Sequence, residues 1–109
     1  MLDELAFRDR ADESLHALYK KLAAASEDAN FEADFNNGAL TIEFDESPIR
    51  FVISPNSPVR QIWVSAHSKS FKLGWDSARD AFILPDSGET LTDLIQSAIR
   101  QQLGEEITL

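Results

Sequence analysis

The chain has 109 residues, enough for one domain with a core and too few for two. It contains no cysteine, which excludes disulfides, thiolate metal sites, a nucleophilic thiol and any cluster held by cysteine ligands. The net charge is −9, and residues 1–46 carry 12 acids against 4 bases while residues 47–109 are nearly balanced; that argues against nucleic-acid phosphate as a partner and favours cations or basic protein surfaces, with solubility as the plainer reason for the same acidity.

The opening Met1-Leu2-Asp3-Glu4 is acidic, without the basic stretch of a signal or transit peptide. No apolar run approaches membrane-spanning length. A cytoplasmic protein with no membrane contact is expected. The first element is a helix of roughly residues 3–25. Phe7, Ala11, Leu15, Leu18 and Leu22 recur at helical spacing and form one apolar stripe. Asp3 and Glu4 at its start and Lys20 and Lys21 near its end complement the helix dipole.

After Asn30 the period falls to two. Phe31, Ala33 and Phe35 alternate with Glu32, Asp34 and Asn36, and Asn37-Gly38 marks a tight hairpin before Leu40, Ile42 and Phe44. A turn over residues 45–48 leads to a third strand over 49–54, then a loop with Pro55 and Pro58. The fourth strand is Gln61–Ser65, and shorter strands are expected over 71–75 and 81–84. Leu91, Leu94, Ile95, Ala98, Ile99 and Leu103 then form a second helical stripe, with Thr90 and Asp93 as a capping box and Gly104 just past its end. The order predicts an α+β two-layer sandwich. Its N- and C-terminal helices pack on one face of an antiparallel sheet of about six strands, leaving the other face open to solvent.

Asp9, Asp12, Glu13 and His16 fall on neighbouring turns of the first helix, away from its apolar stripe. Crowded carboxylates repel one another, and a bound cation would relieve that repulsion. Oxygen ligands with one imidazole suit ions such as Fe²⁺, Mn²⁺ or Fe³⁺, although the same run also reads as a solvated helix face. Glu27 and Asp28 in the next loop, and Glu32 and Asp34 on the first strand, would extend the strip if that strand is an edge; charges there also guard an edge against aggregation. Such open sites would hold ions weakly.

On the fourth strand, Ile62 and Val64 share one face and Gln61, Trp63 and Ser65 the other. With the aliphatic pair inward, Trp63 stands on the open face, where an exposed indole marks a binding surface; the other reading turns it inward. Trp75 reads as core. His67 with Ser65 or Ser68 lacks a nucleophile elbow and an acid partner, so no hydrolase is expected, and phosphate-binding loops are absent.

Three segments carry a family resemblance along nearly the whole chain. They are Asn37-Gly38-Ala39-Leu40-Thr41-Ile42, the run from Asn56-Ser57-Pro58 to Arg60-Gln61-Ile62-Trp63, and Asp86-Ser87-Gly88-Glu89-Thr90-Leu91. Together they resemble the frataxin family, in particular its bacterial CyaY-type members. The resemblance implies a non-enzymatic accessory protein of iron–sulfur cluster assembly, with weakly bound Fe²⁺ or Fe³⁺ and no organic cofactor. It implies an acidic ridge at Asp9, Asp12, Glu13, Glu27, Asp28, Glu32 and Asp34, to which spacing alone adds His16. It also implies contact with a cysteine desulfurase and an iron–sulfur scaffold protein through Asn56, Gln61 and Trp63, with Arg60 close by. A monomer is expected, with iron-dependent oligomers as a further state. Two other readings are a metal-independent acidic regulator of the desulfurase and a ferroxidase; the chain lacks the paired Glu-x-x-His motifs of di-iron bundles. One departure stands out: Tyr19-Lys20-Lys21 and Ala23-Ala24-Ala25 occupy helix turns where family members often carry acids, which interrupts the ridge.

Overall fold

The structure, a computed structural model, describes residues 3–45, 47–67 and 69–109. Helix α1 spans Glu4–Ser26 and is capped by Asp3, whose Oδ1 accepts the Ala6 N–H at 2.8 Å. Its five buried residues are the predicted stripe of Phe7, Ala11, Leu15, Leu18 and Leu22. Each fully buried Phe or Leu contributes about 1.5–3 kcal/mol over its exposed state. The helix ends at Ser26, and Lys20 and Lys21, expected to complement its dipole, fall short of the last turn, which holds no base.

Strands β1 (Phe31–Asn36), β2 (Ala39–Phe44), β3 (Arg50–Asn56), β4 (Gln61–Ala66), β5 (Lys69–Asp76) and β6 (Ala81–Ile83) form one antiparallel meander in chain order. Asn37 and Gly38 take φ of 54° and 79°, the positive pair that a two-residue primed hairpin requires. Strand β3 reaches two residues beyond the expected end and includes Pro55. Proline is tolerated there because the β2 partner register stops at Ile53, leaving that flank of β3 without a neighbour. The turn expected over residues 45–48 includes Glu46, which lies outside the described residues.

Helix α2 spans Leu91–Leu103. Thr90 Oγ1 accepts the Asp93 N–H at 3.2 Å, and Gly104 closes the other end at φ 69° with its N–H on the Arg100 carbonyl. Both helices lie on one face of the sheet, around a core that joins their stripes to Phe31, Leu40, Ile42, Phe51, Ile53, Ile62, Val64, Leu73 and Phe82. Past Gly104, Ile107 is buried in that core, while the Leu109 N–H donates to Gln96 Oε1 and the Ile107 carbonyl accepts from Arg100 Nε, each at 2.8 Å. Trp75, expected inside, is half-buried at the core margin. Its ring meets Phe82 edge-on at 5.1 Å, and the Arg10 guanidinium covers it at 5.5 Å. Among the described residues no helix is long and apolar enough to cross a membrane.

Candidate functional site

Two surfaces emerge, on opposite sides of the sheet. The first is the outer face of α1. Asp9, Asp12, Glu13 and His16 are all exposed and line one shallow basin of ≈ 890 Å³, with Ala17, Lys20 and Lys21 at its far end. Helical spacing sets the contacts. His16 Nε2 stands 3.5 Å from Asp12 Oδ1 across one turn, and Glu13 Oε2 stands 3.8 Å from Arg10 Nη1. The imidazole is stacked on Phe35 of β1, with ring centres 4.5 Å apart and planes 18° from parallel. That stacking sets the plane of the imidazole. The basic residues of the same helix half are engaged: Arg8 binds Glu4 at 2.8 Å, and Arg10 divides itself between Glu13 and Trp75. Among the described residues Asp9 therefore has no basic group in contact, and Asp12 has only the His16 imidazole.

The remaining acids sit elsewhere. Glu27 is the C-cap of α1 and Asp28 follows it, both exposed, with their N–H groups bonded back to Ala24 and Ala25 carbonyls. Carboxylates at the negative end of a helix dipole, with no base in the last turn, are electrostatically strained. Strand β1 is an edge, as the strip required, and Glu32 and Asp34 are exposed on it. They point to the open face, however, so the strand itself separates them from Asp12 and His16. Across the ladder Glu32 faces Glu43, an unfavourable like-charge pair, and Glu43 faces Arg50. Among the described residues no three His, Asp or Glu side chains converge into a cluster that could hold a metal ion. The donor chemistry nonetheless fits a hard or borderline cation: Asp12 and His16 can chelate across one turn, with Asp9 and Glu13 alongside.

The second surface is the open face of the sheet. Ile62 is fully buried while Trp63, one residue on, is 39% exposed. Register places Trp63 between Ser54 of β3 and Lys72 of β5. The indole Nε1–H donates to Gln61 Oε1 at 3.0 Å, and the Lys72 ammonium lies over the ring at 5.1 Å from its centre. The ring is thus oriented from two sides. Val52, Ser54, Ser65 and Ser70 complete a shallow cavity of ≈ 390 Å³ around it, small side chains that leave the indole standing proud. Asn56 pairs with Gln61 at the end of the β3–β4 ladder. Arg60 caps the 3-10 turn Ser57–Val59 with φ 51°, and its Nη1 donates to the Ser57 and Pro58 carbonyls. It therefore braces the loop that feeds β4 and does not reach outward freely. The sequence reading missed Lys72, because only the cross-strand register brings it to Trp63.

Among the described residues no serine pairs with His67. His67 lies edge-on to core-facing Phe51, and its Nε2 bonds Gln102 Oε1 of α2 at 2.9 Å, whereas Ser65 is exposed on the opposite face. Ser68 lies outside the described residues. Gly88, at φ 77°, serves backbone geometry: its N–H donates to the Leu84 carbonyl and its carbonyl accepts from Arg79 Nη1 at 2.7 Å.

Comparison with known proteins agrees with this geometry. A family model described as "Frataxin-like domain" matches residues 1–105. The protein named iron-sulfur cluster assembly protein CyaY in Thioalkalivibrio sulfidiphilus is 27% identical over 106 residues, 97% of this chain and 98% of its own length. Its namesake in Pseudomonas aeruginosa is 32% identical over 108 residues, with 97% and 95% covered. A solved frataxin from Psychromonas ingrahamii superposes with a TM-score of 0.84 at 20% identity, over 98% of this chain and 97% of that one; the likeness is one of fold.

Proposed function

The chain belongs to the frataxin-like family, and on that premise we propose that it is a non-enzymatic accessory protein of iron–sulfur cluster assembly. It takes Fe²⁺ or Fe³⁺ weakly on the acidic strip and docks on a cysteine desulfurase and its scaffold protein, in the cytoplasm. The observation that carries the metal reading is the Asp9–Asp12–Glu13–His16 basin. It gathers three carboxylates and one imidazole on a water-facing helix surface whose nearby arginines are already engaged. Ligands spread along a helix give a loose and exchangeable site, which suits delivery of an ion more than its retention. Strain at Glu27 and Asp28 marks a second place where a cation lowers the energy. Docking is read from Trp63, held by Gln61 and Lys72 on a flat face with small neighbours. The test of the metal reading is an Fe²⁺ titration of the labelled chain by NMR. Signals of 9–16 broaden first, and those of 27–34 follow. Equal broadening at Asp86, Asp93 and Glu105 would refute a defined site.

A second reading is a metal-independent regulator in which the same acids dock on a basic surface of the desulfurase. What favours it is the scatter of the acids over two sides of β1 without a convergent ligand set. Charge reversal at Asp9, Asp12 and Glu13 separates the two. In chelator, loss of desulfurase capture supports the regulator, and unchanged capture rejects it.

A further inference from the structure

We propose that the free edge of β1 is a docking strand for an extended segment of a partner protein whose side chains alternate between cationic and apolar. The inference goes beyond docking at Trp63 and does not depend on iron. Among the described residues strand β1 pairs with β2 alone. Because a two-residue turn joins them, Asn36 and Ala39 form the hydrogen-bonded pair that closes the hairpin, and the phase then alternates down the ladder. The Asp45 N–H on the Asn30 carbonyl, at 3.2 Å, continues that phase at the other end. Glu32, Asp34 and Asn36 thus spend their backbone groups on β2, while those of Phe31, Ala33 and Phe35 point outward. No hydrogen bond among the described residues reaches them from another element.

Both flanks of this edge specify what could pair with it. On the open side, exposed Glu32 and Asp34, reinforced by Glu43 beside Glu32, call for cations. On the helix side, Ala33 and Phe35 face the core layer yet stay half-exposed because the sheet ends there, and Phe35 is backed by His16 and Tyr19. That flank calls for apolar side chains. A second copy of this chain is a poor occupant, since edge-to-edge pairing would bring Glu32 and Asp34 of both copies together. In antiparallel addition, the partner's apolar residues would exchange hydrogen bonds with Ala33 and Phe35, and its cations would sit opposite Glu32 and Asp34.

The test is run on the intact chain in chelator, with a capped synthetic peptide alternating lysine and valine as probe. We expect binding by isothermal titration calorimetry, with slowed hydrogen exchange at the Ala33 and Phe35 amides and no shift of the Trp63 indole signal. N-methylation of the valine nitrogens should weaken binding about tenfold or more, whereas N-methylation of the lysine nitrogens leaves it unchanged. A glutamate–valine peptide should not bind. The proposal is overturned if the lysine–valine peptide fails to bind, if both methylated forms bind equally, or if the glutamate–valine peptide binds as well.

Discussion

The strip on α1 and the patch around Trp63 are both exposed, yet they are held in different ways. The strip is a set of exposed side chains on one helix, separated by helical spacing, with single polar contacts of 3.5 and 3.8 Å and only His16 packed against another element. The patch is one aromatic ring on a central strand, clamped by a neighbour on its own strand and another on β5. The first can shift to suit an ion; the second offers a fixed shape. Weak, exchangeable metal contact and specific protein recognition ask for those two kinds of surface.

The largest expected effect lies beneath the patch. Ile62→Ala should destabilise the domain by about 2–5 kcal/mol in urea unfolding, while Trp63→Ala, its neighbour in sequence, stays within about 1 kcal/mol. Similar losses at both positions would mean that the indole is structural. Next comes recognition. Trp63→Ala should weaken binding to the scaffold protein by about 2 kcal/mol or more and leave Fe²⁺ titration unchanged, as calorimetry with each ligand can show. Reversal of Asp9, Asp12 and Glu13 to lysine should do the converse, lowering Fe²⁺ affinity about tenfold with scaffold binding intact. A variant that loses both functions would join the two surfaces into one. The smallest effect is on the strip's own repulsion. Asp9→Asn removes the charge one turn from Glu13 and should raise stability by about 0.2–0.5 kcal/mol, less at high salt, read from thermal unfolding.

Much of the fold was legible because it rests on local period. The stripe from Phe7 to Leu22, the alternation through the first hairpin, Asn37-Gly38 and the caps at Thr90 and Gly104 need only neighbours in sequence to act. The misplacements fell where the deciding neighbour was distant. Pro55 belongs to a strand because β2 ends early beside it, and Trp75 lies at the core margin because Arg10 of α1 comes to cover it.

The sequence alone thus determined which residues carry charge, which faces are apolar, and that Asp9, Asp12, Glu13 and His16 share one side of a helix. Only the tertiary structure decided that His16 stacks on Phe35, that Lys72 lies over Trp63, and that Glu32 and Asp34 look away from the helix acids. The reason is physical. Periodicity fixes the direction of a side chain relative to its own element, whereas sheet register and helix docking fix which elements meet, and those depend on contacts far apart in the chain.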